Sequence, residues 1–126
     1  MQQLKFIVLE SEYSLCRLSA NESIPSWIYS SDFYTISKSK DELSIVCESK
    51  FVPPGIRKSD NWKLMKIDAV LDLSLTGITA KFSKPLAEAN INLCVIATFD
   101  TDYVMVQNEK LAIAKSALQN EGFIVE

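Results

Sequence analysis

Residues 76–125, TGITAKFSKPLAEANINLCVIATFDTDYVMVQNEKLAIAKSALQNEGFIV, decide the fold, because their hydrophobic period changes element by element. Ile78, Phe82, Leu86 and Ala89 recur at spacings of four, four and three, which marks one helix face. The pattern predicts a helix from Gly77 to about Ala89 with Thr76 as its N-cap. Pro85 lies inside that run and should bend it, since proline lacks a donor and crowds the carbonyl of Lys81. Asn90 closes the helix, and Ile91–Thr98 follows as a largely buried strand. Asp100-Thr101-Asp102 turns the chain and Tyr103–Val106 returns it. Asn108 then caps a second helix carrying Leu111, Ala114 and Leu118 on one face, Gly122 ends it, and Phe123–Val125 is the last strand. With the extended stretch Trp62–Leu73 in front, the order is strand, helix, strand, strand, helix, strand, which is the ferredoxin-like βαββαβ plan of an α+β protein.

Working outward, the first half is strand-rich. Leu4–Leu9 reads as a buried strand and Tyr13–Leu18 as a second with two-residue alternation, joined through Glu10-Ser11-Glu12. Ser23–Tyr29, with a serine cap and Pro25, predicts one short helix. Phe33–Ile36 and Leu43–Cys47 flank the polar tract Ser37–Glu42 as a hairpin. The run Pro53-Pro54-Gly55-Ile56-Arg57-Lys58-Ser59-Asp60-Asn61 is the clearest break. It suggests two units, 1–60 and 61–126, the first a degenerate copy that has lost its second helix, with antiparallel sheets in both.

Composition narrows the function classes. With 126 residues, 48% of them hydrophobic, the chain can bury roughly two-thirds of its unfolded surface. Its longest apolar runs, Phe6–Leu9 and Leu93–Ala97, are far too short to cross a bilayer, and nothing at the N-terminus resembles a secretory signal. A cytoplasmic location is expected. The net charge is −3 and the lysines are scattered, so no basic stripe offers itself to nucleic acid. Cys16, Cys47 and Cys94 sit among apolar neighbours and read as buried thiols rather than metal ligands or disulfide partners. The chain has no histidine, which removes the commonest general base and zinc ligand together. No metal and no cofactor are expected. Trp27, Trp62, Phe33 and Tyr34 read as packing residues rather than as a partner surface.

Two constellations carry chemistry. Asp72-Leu73-Ser74-Leu75-Thr76-Gly77-Ile78 leads an extended chain into a helix start, where free N–H groups and a glycine could receive a carboxylate. A plain capped helix with a tight turn fits the same residues. Thr98-Phe99-Asp100-Thr101-Asp102 places two carboxylates and two hydroxyls in five residues. They could pair with an ammonium, or they could stabilise their own turn.

Taken together, Leu75-Thr76-Gly77-Ile78, Pro85–Ile91 and Ile96–Val106 resemble the short bacterial ACT-domain proteins of tandem type. Those modules are related to the regulatory region of aspartokinases and to cytosolic arginine sensors. The resemblance covers residues 62–125 well and the first sixty more loosely. It implies paired ferredoxin-like units, a homodimer whose formation completes the ligand sites, and an amino acid as ligand. Carried onto this chain, the binding residues are Thr76, Gly77 and Ile78 on one side and Thr98, Phe99, Asp100, Thr101 and Asp102 on the other. Two departures stand out: Asn90 where the family often has glycine, and Ala97 where it often has serine. The function implied is a non-catalytic regulatory module that binds an amino acid. The alternatives are a protein–protein interaction module that has lost its ligand, or a small enzyme acting through Asp100 or Asp102.

Overall fold

The described residues, 3–126 of a computed structural model, open with strand β1, Lys5–Val8. There follow β2, Tyr13–Leu18, a 3₁₀ turn over Ser26–Ser30, β3, Thr35–Lys38, β4, Leu43–Glu48, and the long β5, Arg57–Ile67. Helix α1, Ile78–Glu88, leads to β6, Leu93–Ala97, and β7, Asp102–Gln107. Helix α2, Leu111–Asn120, and the short β8, Ile124–Val125, complete the order. The chain divides into two units, one of Ser11–Trp62 and one of Met1–Glu10 with Lys63–Glu126. No described helix is long and apolar enough to cross a membrane.

In the unit Ser11–Trp62, the antiparallel order is β3, β4, β2 and the first part of β5. Cys16, Leu18, Ile28, Leu43, Ile45 and Cys47 form its core, the inward side of an alternating hairpin pattern. The expected break at 53–61 is only partly one. Arg57–Asn61 are polar, yet they form the start of β5, because pairing with β2 rather than burial defines the strand. Tyr13 faces Trp62 while Leu15 faces Ser59, so β5 carries one extra residue there. Asn61 absorbs the resulting bulge at φ 68°, a left-handed conformation that asparagine tolerates. The expected helix over Ser23–Tyr29 shrinks to the 3₁₀ turn, whose capping position is Pro25, without a side-chain cap bond.

A buried carboxylate organises the same unit. Glu48, 3% exposed, accepts the Ser11 hydroxyl at 2.6 Å and the Asp32 N–H at 2.8 Å, with the Lys50 ammonium 3.8 Å away. Burial pushes its carboxyl up, but the bonds from Ser11, Asp32 and Ser31 together with Lys50 outweigh that and hold it below the ordinary range. Trp62 is buried in this unit, whereas Tyr34 is exposed and stacks edge-on against exposed Tyr29 rather than entering the core.

In the other unit the sheet order is β6, β7, β5, β1, β8. From β5 onward the chain follows the βαββαβ plan, with one change: β1 lies between β5 and β8, antiparallel to the first and parallel to the second. This sheet is therefore mixed, not antiparallel as expected. Residues 3–10, which the sequence reading assigns to the first unit, group with Lys63–Glu126. The cause is register: Phe6 faces Ile67 and Val125, and its ring is fully buried against Phe82 and Phe123, with centroids 5.8 and 5.4 Å apart. Alternate residues Met65 and Ile67 of β5 and Val104 and Val106 of β7 meet Phe82 and Leu86 of α1 and Ala114 and Leu118 of α2 in the core. Cys94, on the sheet-edge strand β6, is half-buried rather than buried.

Both helices end in the same way. Ile91 N–H donates to Leu86 O and Asn90 N–H to Ala87 O, while Phe123 N–H and Gly122 N–H do the same to Leu118 O and Gln119 O. Each is a Schellman closure with a left-handed residue at C′, Asn90 at φ 61° and Gly122 at φ 96°. Pro85 lies inside α1 and is buried, and the helix continues through it to Glu88. Asn108 does not cap α2. It begins a 3₁₀ turn over Asn108–Lys110, and α2 starts at Leu111 without a side-chain cap bond.

Candidate functional site

The β5–α1 connection and the β6–β7 loop are held together by two bonds. The Thr101 hydroxyl donates to the carbonyl of Ile67 at 2.8 Å, and the Leu71 N–H donates to the carbonyl of Asp100 at 2.5 Å. Inside the loop, the N–H and the hydroxyl of Thr98 both donate to the Thr101 carbonyl, each at 2.9 Å. In the connection, Asp72 accepts the Ser74 N–H on its side chain at 2.8 Å and the Leu75 N–H on its carbonyl at 2.9 Å. These are the local side-chain to backbone bonds that short polar residues make in turns. The Ser74 N–H and hydroxyl hold the Asp72 carboxyl below the usual carboxylate range.

The chain then enters α1 through Gly77, not Thr76. Gly77 occupies the N-cap position at φ 82°, and no side chain caps the helix. A left-handed residue at this corner favours glycine. The first intrahelical bond runs from Lys81 N–H to Gly77 O, so the N–H groups of Ile78, Thr79 and Ala80 have no acceptor within the helix.

Connection and loop enclose a cleft of about 260 Å³. Six of the eight expected residues line it: Gly77, Ile78, Thr98, Phe99, Thr101 and Asp102. Thr76 and Asp100 do not. Asp100 acts here through its carbonyl, and the expected cap role of Thr76 has passed to Gly77. Leu71, Asp72, Leu73, Leu75, Thr79 and Ala80 complete the lining. Of the two additional polar residues, Asp72 has a signal in the sequence, the Asp72-x-Ser74 turn signature, and Thr79 has none. Phe99 is 80% exposed, Leu73 71% and Leu75 54%, so the rim of the cleft is apolar. The polar residues of its lining are Asp72, Asp102, Thr79, Thr98 and Thr101. Among the described residues, no group of three or more Cys, Asp or Glu side chains is placed to hold a metal ion.

A larger cavity of about 500 Å³ lies in the same unit, over Leu4, Pro85 and Phe123 with Lys81 and Lys84 beside them. It contains none of the residues expected from the sequence.

Comparison with known proteins agrees with this architecture. The ACT-domain family model matches residues 57–120, and an N-terminal-domain family model matches residues 11–55. A crystal structure of an Agobacterium tumefaciens protein is 32% identical, covers 100% of this chain and 94% of its own, and superposes with a TM-score of 0.93. A Vibrio cholerae protein of unknown function, described as a possible transport protein, is 25% identical over 95% of this chain and 91% of its own, with a TM-score of 0.78. The ligand-free regulatory subunit of aspartate kinase from Thermus thermophilus shares the fold at 12% identity and a TM-score of 0.62, over 94% and 93% of the two chains. A search of curated proteins returns no match. With a strand–helix–strand–strand–helix–strand core that the family model matches across half its length, this chain belongs to the ACT-domain family.

Proposed function

We propose that the protein is a non-catalytic regulatory module whose cleft binds an amino acid. The observation that carries this reading is that Gly77–Ala80 and, some twenty residues on, Thr98, Phe99, Thr101 and Asp102 line one cavity. A ligand carboxylate would accept from the N–H groups of Ile78, Thr79 and Ala80, where the helix dipole is positive. The ligand ammonium would be met by Asp102 and by the acceptor lone pairs of the threonine hydroxyls. Thr76 would act on the approach to Gly77, and Asp100 by holding the loop through its carbonyl.

Chemistry supports a binding role over catalysis. The chain has no histidine, and the hydroxyls of Thr98 and Thr101 donate to backbone carbonyls rather than to a base. We infer further that Ser11–Trp62 is a degenerate ACT-like unit, that the protein works as a cytoplasmic homodimer, and that dimerisation completes the site. The regulatory subunit of aspartate kinase, which superposes on nearly the whole chain and not only on residues 57–120, supports the first of these.

A thermal-shift screen of the twenty amino acids tests the proposal. A ligand at a hundredfold excess over its Kd adds about 2.7 kcal/mol, a rise of several degrees. No shift with any of them at millimolar concentration contradicts it. The exposed Phe99, Leu73 and Val70 favour a second reading, an interaction module, for which one co-purifying protein and no ligand response would be the signature.

A further inference from the structure

We infer that the cleft selects amino acids with an uncharged, apolar side chain and turns away those with a second carboxylate. This rests on the reading that an amino acid binds there, and it concerns which one. The lining holds no lysine and no arginine, and its only ionised side chains are the carboxylates of Asp72 and Asp102. The α-carboxylate of any amino acid has the N–H groups at the start of α1 to meet it. A second carboxylate has no cationic partner in the lining, so it gains nothing there for the water it gives up.

Apolar side chains have a partner in the rim. Phe99, Leu73 and Leu75 are large, apolar and mostly in water, and covering them with an apolar group gains free energy without desolvating a polar one. A leucine-, methionine- or phenylalanine-like tail does so. A lysine- or arginine-like tail must keep its cation hydrated, and the carboxylate left to it once Asp102 meets the ligand ammonium, Asp72, already accepts the Ser74 N–H in an exposed turn. A pair made in that setting contributes little.

Isothermal titration of the intact protein separates the terms when it uses probes that share a carbon skeleton and differ in the charged group. Norleucine against lysine reads the effect of the ammonium, and norvaline against glutamate that of the second carboxylate. The expected result is binding of norleucine and norvaline at least tenfold tighter than of their charged counterparts, with Phe99→Ala weakening norleucine about fivefold or more. Because Phe99 is exposed, the unliganded melting temperature of that variant stays close to that of the parent. Preference for glutamate or lysine, or a Phe99→Ala variant that binds norleucine as the parent does, overturns the selectivity while leaving amino-acid binding standing. Binding of no amino acid at all overturns both.

Discussion

Thr101 donates its hydroxyl hydrogen to the main-chain carbonyl of Ile67 at 2.8 Å, and by this bond the β6–β7 loop is tied to the end of β5. Thr101 is 6% exposed, so the Ile67 carbonyl has little water to turn to if the bond is lost. Thr101→Val keeps the shape and removes the donor. The expected loss is about 1–3 kcal/mol, the cost of an unsatisfied buried acceptor, read as a lower urea midpoint at unchanged slope. Ligand response should weaken with it, because the loop that carries Phe99 and Asp102 loses its anchor.

Gly77 and Asn90 bracket α1, both at positive φ, and they predict opposite outcomes. A Cβ built at Gly77 meets nothing within 4 Å, so Gly77→Ala costs only the left-handed backbone, about 1 kcal/mol. Asn90→Gly should change stability by no more than about 0.5 kcal/mol, because glycine meets the requirements of the C′ position directly. Thermal melts of the two variants side by side check the contrast.

Much of the second unit was legible because the helices and strands of 76–125 carry their own periods. The elbow and the loop were legible as polar, glycine-bearing breaks between periodic runs. What the sequence did not show was pairing. β1 is four residues, three of them apolar, that would suit either unit, and only its register against β5 and β8 places Phe6 in the second. Arg57–Asn61 look like a linker because every side chain is polar, yet strand structure there comes from backbone bonds to β2. The cap at α1 is hidden for a similar reason: Thr76 has the favoured side chain, but the turn geometry places the left-handed Gly77 at the cap position.

Phe82 fills the centre of the second core, fully buried and edge-on to Phe6. Phe82→Ala leaves a cavity and should cost about 3–5 kcal/mol, enough to take a marginal domain close to unfolding. Equilibrium denaturation with urea measures it.

Glu48 predicts an acid limit for the first unit. Its carboxyl is held below the ordinary glutamate value, about 4.3, although burial alone would raise it. A group with a lowered folded value stabilises the fold at pH above its unfolded value, and that contribution is lost as pH falls through the folded one. Unfolding free energy measured from pH 7 down to pH 3 should therefore decline in this acid range. Glu48→Gln should be less stable at pH 7 and should show a flatter decline.

The most direct measurement for the central claim is amide NMR of the labelled protein, titrated with the amino acid that gives the largest thermal shift. The account predicts saturable changes at Gly77, Ile78, Thr79 and Ala80 together with Thr98–Asp102, and none at Tyr29 or Tyr34. Saturable changes centred elsewhere, for example around Lys81, Lys84 and Phe123, or no saturable change at all, would contradict it.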